Sequence, residues 1–207
     1  MKTSSFLLLS ILLVSCTPAA PATTQIVDVY ATAAAQPWLD KMYSCAQDMS
    51  VVLNMTSDAP QITLRLGQLD GWTGPVFQVG TEEIVIAASL QSPLGNMPLD
   101  QARVIFAGQG DPSTAVWSYA SGEDIQSAFE QSVMNGRSVT SFARLAANPA
   151  HMSEVLSADV YAVGYLPRRW MTSGLRALLI AATAPVLALT PSEPEGLVRS
   201  LIACMQK

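Results

Sequence analysis

Residues 82–108 read EEIVIAASLQSPLGNMPLDQARVIFAG. Two acids precede an unbroken apolar run, Ile84 to Ala88, and a loop bearing Pro93 and Gly95 follows. Leu99 to Phe106 then repeats at helical spacing and stops at Gly108. A strand apolar at every position belongs in a sheet covered on both faces. The flanking chain alternates in the same way. Upstream, Gln25–Tyr30, Val51–Met55 and Gln61–Leu66 read as strands, and Pro37 opens a helix through Trp38–Ala46. Downstream, Thr114–Tyr119 and Val160–Tyr165 read as strands. Ser121–Met134, His151–Leu156 and Pro194–Met205 read as helical, as do Phe142–Ala147 and Arg176–Ala182, while Pro185–Thr190 reads as a strand. Strands spaced by helices predict an α/β fold with a mostly parallel sheet. The uncharged run from Ala177 to Thr190 holds Pro185 and falls short of the ~20 apolar residues of a membrane span, so it is expected to be buried.

The chain has 207 residues, half of them hydrophobic and 13% charged. Mean hydropathy is +0.30 and the pI is near 4.7. Such a chain buries enough surface to fold, which excludes disorder for most of it. With 11 Lys and Arg against 16 Asp and Glu, it lacks the basic footprint of a nucleic-acid binder. One histidine and three cysteines leave little for a metal centre, and neither a metal nor another cofactor is expected.

The first 16 residues carry an address. Lys2 is followed by an apolar run from Phe6 to Val14, and Leu13-Val14-Ser15-Cys16 closes the segment. This pattern predicts a signal peptide over residues 1–15. The tetrad looks like a bacterial lipobox, which makes Cys16 the expected lipidation site; an ordinary signal peptide with a chance cysteine is the alternative. Residues 16–24, rich in Pro, Ala and Thr, read as a flexible tether. The expected location is extracytoplasmic, anchored to the cell membrane through lipid.

Several segments, taken in order, resemble the solute-binding proteins of ABC transporters with the type 2 periplasmic-binding-protein fold, in particular the phosphate-binding group. Val29-Tyr30-Ala31-Thr32 leading to Pro37-Trp38-Leu39 is similar to the first strand and its ligand-facing loop. Glu83–Ala87 followed by Pro98–Gly108 is similar to the crossover strand and the helix after it. Tyr119-Ala120-Ser121-Gly122, with Phe129 further on, is similar to the family's Ser-Gly-Thr loop. Val160–Tyr165 is similar to the strand that leads back, and Pro185–Leu189 with the last helix resembles the return to the first lobe.

The resemblance implies a shortened two-lobed molecule, with lobe 1 formed by residues 25–88 and 166–207 and lobe 2 by residues 89–165. It implies a monomer that captures a small solute, phosphate-like or other, for an ABC permease. The ligand would lie between the lobes, against hydroxyls at strand and helix ends. Thr32 and Ser121 are the leading candidates, with Thr56 and Ser57 at a second loop. Hydroxyls both donate and accept, and helix N-termini attract anions through their free N–H groups. The same residues serve equally well as plain caps and turns. In the family-like arrangement Cys45 and Cys204 both fall in lobe 1, so they could pair in an oxidising compartment; two small buried thiols are the alternative.

Two departures weigh against phosphate. Ser-Gly-Thr becomes Ser121-Gly122-Glu123-Asp124, which puts two carboxylates in the first turn of a helix. These would repel a di-anion and occupy the same N–H groups. Trp117-Ser118-Tyr119 also leaves no Arg beside that loop for a bidentate clamp. The second function therefore kept open is an interaction or sensory lipoprotein with no transported ligand.

An enzyme is not expected. Gly108-Gln109-Gly110 lacks the third glycine of a dinucleotide loop, and Ala120-Ser121-Gly122 lacks the flanking glycines of a nucleophile elbow. His151 reads as a surface residue at a helix start, and Arg168-Arg169-Trp170 as a solvated bend. Glu82-Glu83 are sequence neighbours on a strand and point apart, which makes them poor acid/base partners.

Overall fold

Val27, Val29 and Ala31 are buried in alternation, so Gln25–Ala31 forms a strand, β1, with one face in the core. It pairs in parallel with β2 (Val51–Met55) on one side and β3 (Ile62–Leu66) on the other. A 3-10 turn over Ala33–Trp38, with Pro37 inside, leads from β1 into helix α1 (Leu39–Asp48), which buries Met42, Cys45 and Ala46. The structure, a computed structural model, describes residues 25–207. Cys16, the expected signal peptide and the tether lie outside them.

Strand β4 runs over Val76–Ser89, whereas the sequence placed its start at Glu82. Gly80 breaks the apolar pattern there for a packing reason. A Cβ on Gly80 would lie 2.1 Å from the Trp38 ring, so only glycine lets the indole approach. Strand β8 (Leu175–Leu189) pairs antiparallel with β4 along its whole length, from Val76 opposite Leu189 to Ser89 opposite Leu175. The expected helix over Arg176–Ala182 is thus the first half of this long strand. Leu and Ala favour helices locally, but continuous pairing with β4 overrides that weak preference. Pro185, which lacks an N–H, sits opposite Thr81 beside a register shift, and its carbonyl accepts from the Gly67 N–H at 2.9 Å.

Between β4 and β8 the chain builds α2 (Leu99–Val104), β5 (Ala115–Tyr119), α3 (Asp124–Ser132), β6 (Arg144–Ala146), α4 (Pro149–Ala158) and β7 (Ala162–Pro167). After α2 the helix widens into a π-type turn over Ile105–Gln109, where Gly108 takes a φ of 77°. The helical turn expected at Phe142–Ala147 is instead the short edge strand β6, paired in parallel with β5. Phe142 is 93% exposed, so this segment offers no apolar stripe to a helix. Helix α5 (Gly196–Met205) returns to α1, and a disulfide joins Cys45 to Cys204 with their Cα atoms 5.9 Å apart.

One sheet of eight strands results, in the order β2-β1-β3-β8-β4-β7-β5-β6. It is parallel in its two flanks and antiparallel at its centre, where β8 and β4 meet their neighbours. The β1–β3 flank pairs with the late part of β8, and β7 pairs with the late part of β4. The two long strands therefore belong to both halves of the sheet. In the second half, Phe129 stacks on Tyr165 and Phe106 meets both rings edge-on.

Candidate functional site

Thr32 follows β1 and holds the N-cap position of the 3-10 turn, yet its side chain caps nothing there. Its hydroxyl donates instead to Asp124 Oδ2 at 2.6 Å. The backbone N–H of Leu66, at the end of β3, donates to the same oxygen at 2.7 Å. Asp124 is the first residue of α3, and its Oδ1 accepts from the Ile125 N–H at 2.8 Å. Strand ends of one half and a helix start of the other thus meet at one carboxylate.

Asp124 is only 3% exposed, and it takes part in none of the ion pairs among the described residues. A buried charge needs partners, and here neutral hydrogen-bond donors and the helix N-terminus supply them. The chemistry of the arrangement is the holding of a negative charge without a cation.

The structure places the four residues singled out in the sequence differently from one another. Thr32 lies at the junction, half-buried. Ser121 is exposed in the turn before α3, and its side chain makes no hydrogen bond among the described residues. Asp124, three positions further on, is what reaches Thr32. Thr56 Oγ1 accepts from the Asp58 N–H at 3.1 Å in a local turn, and Ser57 is exposed beside it. The sequence signal for Asp124 was the acidic turn itself, standing where the resembling family has Ser-Gly-Thr.

A second cluster lies where β4 passes between the halves. Glu82 is 3% exposed and accepts from Trp38 Nε1 at 2.8 Å and from the Arg169 backbone N–H at 3.2 Å. The Arg169 side chain pairs with Glu82 at 3.2 Å and lies 4.5 Å over the Trp38 ring. Glu83 points the other way and pairs with Arg168. The segment read as a solvated bend is therefore tied to two carboxylates, and Trp170 Nε1 also reaches the Ala34 carbonyl at 3.4 Å. The neighbours Glu82 and Glu83 do point apart, each toward its own arginine.

Behind α3 lies a buried polar group. Ser118 Oγ donates to Gln126 Oε1 at 2.7 Å, Tyr165 Oη donates to that same oxygen, and Tyr119 Oη donates to the Tyr165 carbonyl at 2.9 Å. Burial pushes both phenols up, Tyr119 well above its ordinary value. His151 stands at the start of α4, where its Nδ1 accepts from the Ala147 N–H at 3.1 Å. Among the described residues no group of three or more His, Cys, Asp or Glu could hold a metal ion, and no helix is long and apolar enough to cross a membrane.

No protein-family model matches the chain, and no curated protein matches its sequence. Its fold does have solved counterparts. A protein assigned as a phosphate ABC transporter substrate-binding protein from Clostridium perfringens, solved with bound phosphate, superposes with a TM-score of 0.78 at 14% identity, covering 87% of this chain and 93% of that one. An ABC-type phosphate transport receptor from Vibrio cholerae gives 0.65 at 15% identity, over 87% and 93%. The regulatory domain of OxyR2 from Vibrio vulnificus, in its reduced form, gives 0.69 at 10% identity, over 92% and 98%. Transport receptors and regulatory domains share this architecture, and at such identities the likeness concerns the fold. The chain has a periplasmic-binding-protein-like fold, a single mixed sheet dressed with helices.

Proposed function

We propose that this chain is an extracytoplasmic solute-binding lipoprotein, anchored through Cys16, that captures a small solute where the two halves of its sheet meet and offers it to an ABC permease. The observation that carries this reading is the convergence of the Thr32 hydroxyl, the Leu66 N–H and the start of α3 on one point. Strand ends and helix starts brought together from two halves make a place for a negatively charged group. The resemblance in fold to phosphate transport receptors supports solute capture. A second reading, an interaction or sensory lipoprotein with no transported ligand, is favoured by the buried Asp124 side chain at that point. It also has counterparts in fold among regulatory domains.

A thermal-shift screen of the full chain against inorganic oxyanions, amino acids and sugars separates the two. A solute at a hundred times its Kd stabilises the folded state by about 2.7 kcal/mol, which corresponds to roughly 5–10 °C in Tm for a chain of this size. Such a shift, abolished by Thr32→Val, upholds capture at the junction. A screen with no hit in any of the three classes overturns it in favour of the second reading.

A further inference from the structure

The donors at the junction are already in use. Thr32 Oγ1 and the Leu66 N–H, both from the first half, reach Asp124 Oδ2 at 2.6 and 2.7 Å, while the Ile125 N–H holds Oδ1 at 2.8 Å. These contacts join segments separated by 92 and 58 residues, so the carboxylate bridges the halves. An oxyanion from solvent would need the same hydroxyl and the same N–H groups. Chemically, the Asp124 carboxylate is such an anion, tethered to the protein by one methylene.

We infer that Asp124 is the built-in ligand of this junction: it closes the two halves without any solute and keeps oxyanions out until it is displaced. The inference rests on the reading of the junction as a solute site. A tethered group acts at a high effective concentration, in the millimolar range for short flexible linkers and higher for a rigid one. An external anion binds only the fraction of molecules in which the tethered carboxylate has left, and its apparent affinity falls by that fraction. The fold thus stands in a ligand-closed form through its own side chain. A solute that succeeds must open Asp124 away from Thr32 or bind beside it.

The test compares the full chain with Asp124→Ala by calorimetry with inorganic phosphate and sulfate, and by small-angle scattering with and without phosphate. The folded variant is expected to bind phosphate at least tenfold more tightly than the parent. Its radius of gyration should exceed the parent's and contract again when phosphate is added. Equal phosphate affinity in parent and variant overturns the inference, as does a folded variant that keeps the parent's dimensions and gains no anion binding. If Asp124→Ala does not fold, Asp124→Ser, which is shorter and removes both the charge and the carboxylate oxygens, decides by the same comparison. Thr32→Val, which weakens the bridge from the opposite side, should also expand the molecule. A parent that binds none of the screened solutes while Asp124→Ala gains phosphate upholds the built-in ligand and removes the capture reading. A parent that takes a solute through Thr32 while Asp124→Ala gains no anion binding does the reverse.

Discussion

Tyr119 and Tyr165 show how burial sets the chemistry of single side chains. Each phenol is enclosed and hydrogen-bonded, so ionising it would place a charge in a poorly solvated interior. Desolvation is the leading cause for both, and it holds the protonated form above the ordinary phenol value of about 10. A folded-state value raised above the unfolded one contributes stability that is full below about pH 10. That stability drains away as pH rises from there toward the folded-state values. Two of the five tyrosines are therefore expected to stay protonated until the fold opens. A phenolate absorbance titration alongside far-ultraviolet circular dichroism checks this. All five ionising reversibly with the dichroism intact would refute it.

Elements are where local and long-range physics compete. Strand β1 was legible from its β-favouring residues Ile26, Val27, Val29 and Tyr30, and helix α5 because its apolar residues repeat at helical spacing. β2 was legible as a short, largely apolar run before the polar turn Thr56-Ser57-Asp58. The first half of β8 was not. Leu178-Leu179-Ile180-Ala181-Ala182 carries no period, and what makes it a strand is β4, remote in sequence. The same limit governed the site. Thr32 stood out because a hydroxyl at a strand end is a local signal. The reach of Asp124 to Thr32 and Leu66 depends on how two distant segments pack. The staple between α1 and α5 gives a prediction at this scale. Closing a loop of 159 residues restrains the unfolded chain by about 5 kcal/mol on chain entropy alone, before any strain is subtracted. Reduction should lower the urea midpoint markedly, and thiol titration of the denatured, unreduced chain should find neither Cys45 nor Cys204 free. Two reactive thiols there, or an unchanged midpoint on reduction, would count against the staple.

At the scale of the whole molecule, β1 at the start of the described chain and α5 at its end belong to the same half of the sheet, joined through α1. A lipid on Cys16 would then tether the molecule to the membrane through that half. Cys16→Ser is expected to move the protein from the membrane fraction to the soluble fraction, because stable anchoring depends on the acyl chains. Fractionation and intact mass check it; an unmodified Cys16 in membrane-bound protein would defeat the anchor.

The paired strands β4 and β8 also decide how the molecule carries tension. Both cross from one half to the other side by side, so a pull on the second half against a held first half runs along two covalent backbones in parallel. The hydrogen bonds between the two strands lie across that pull and take little of it. The load falls instead on what bridges the halves away from the spine: the Thr32 and Leu66 bonds to Asp124, and the Arg169 grip on Glu82 and Trp38. Under force these side-chain bridges would yield first, while the sheet that joins the halves stayed whole.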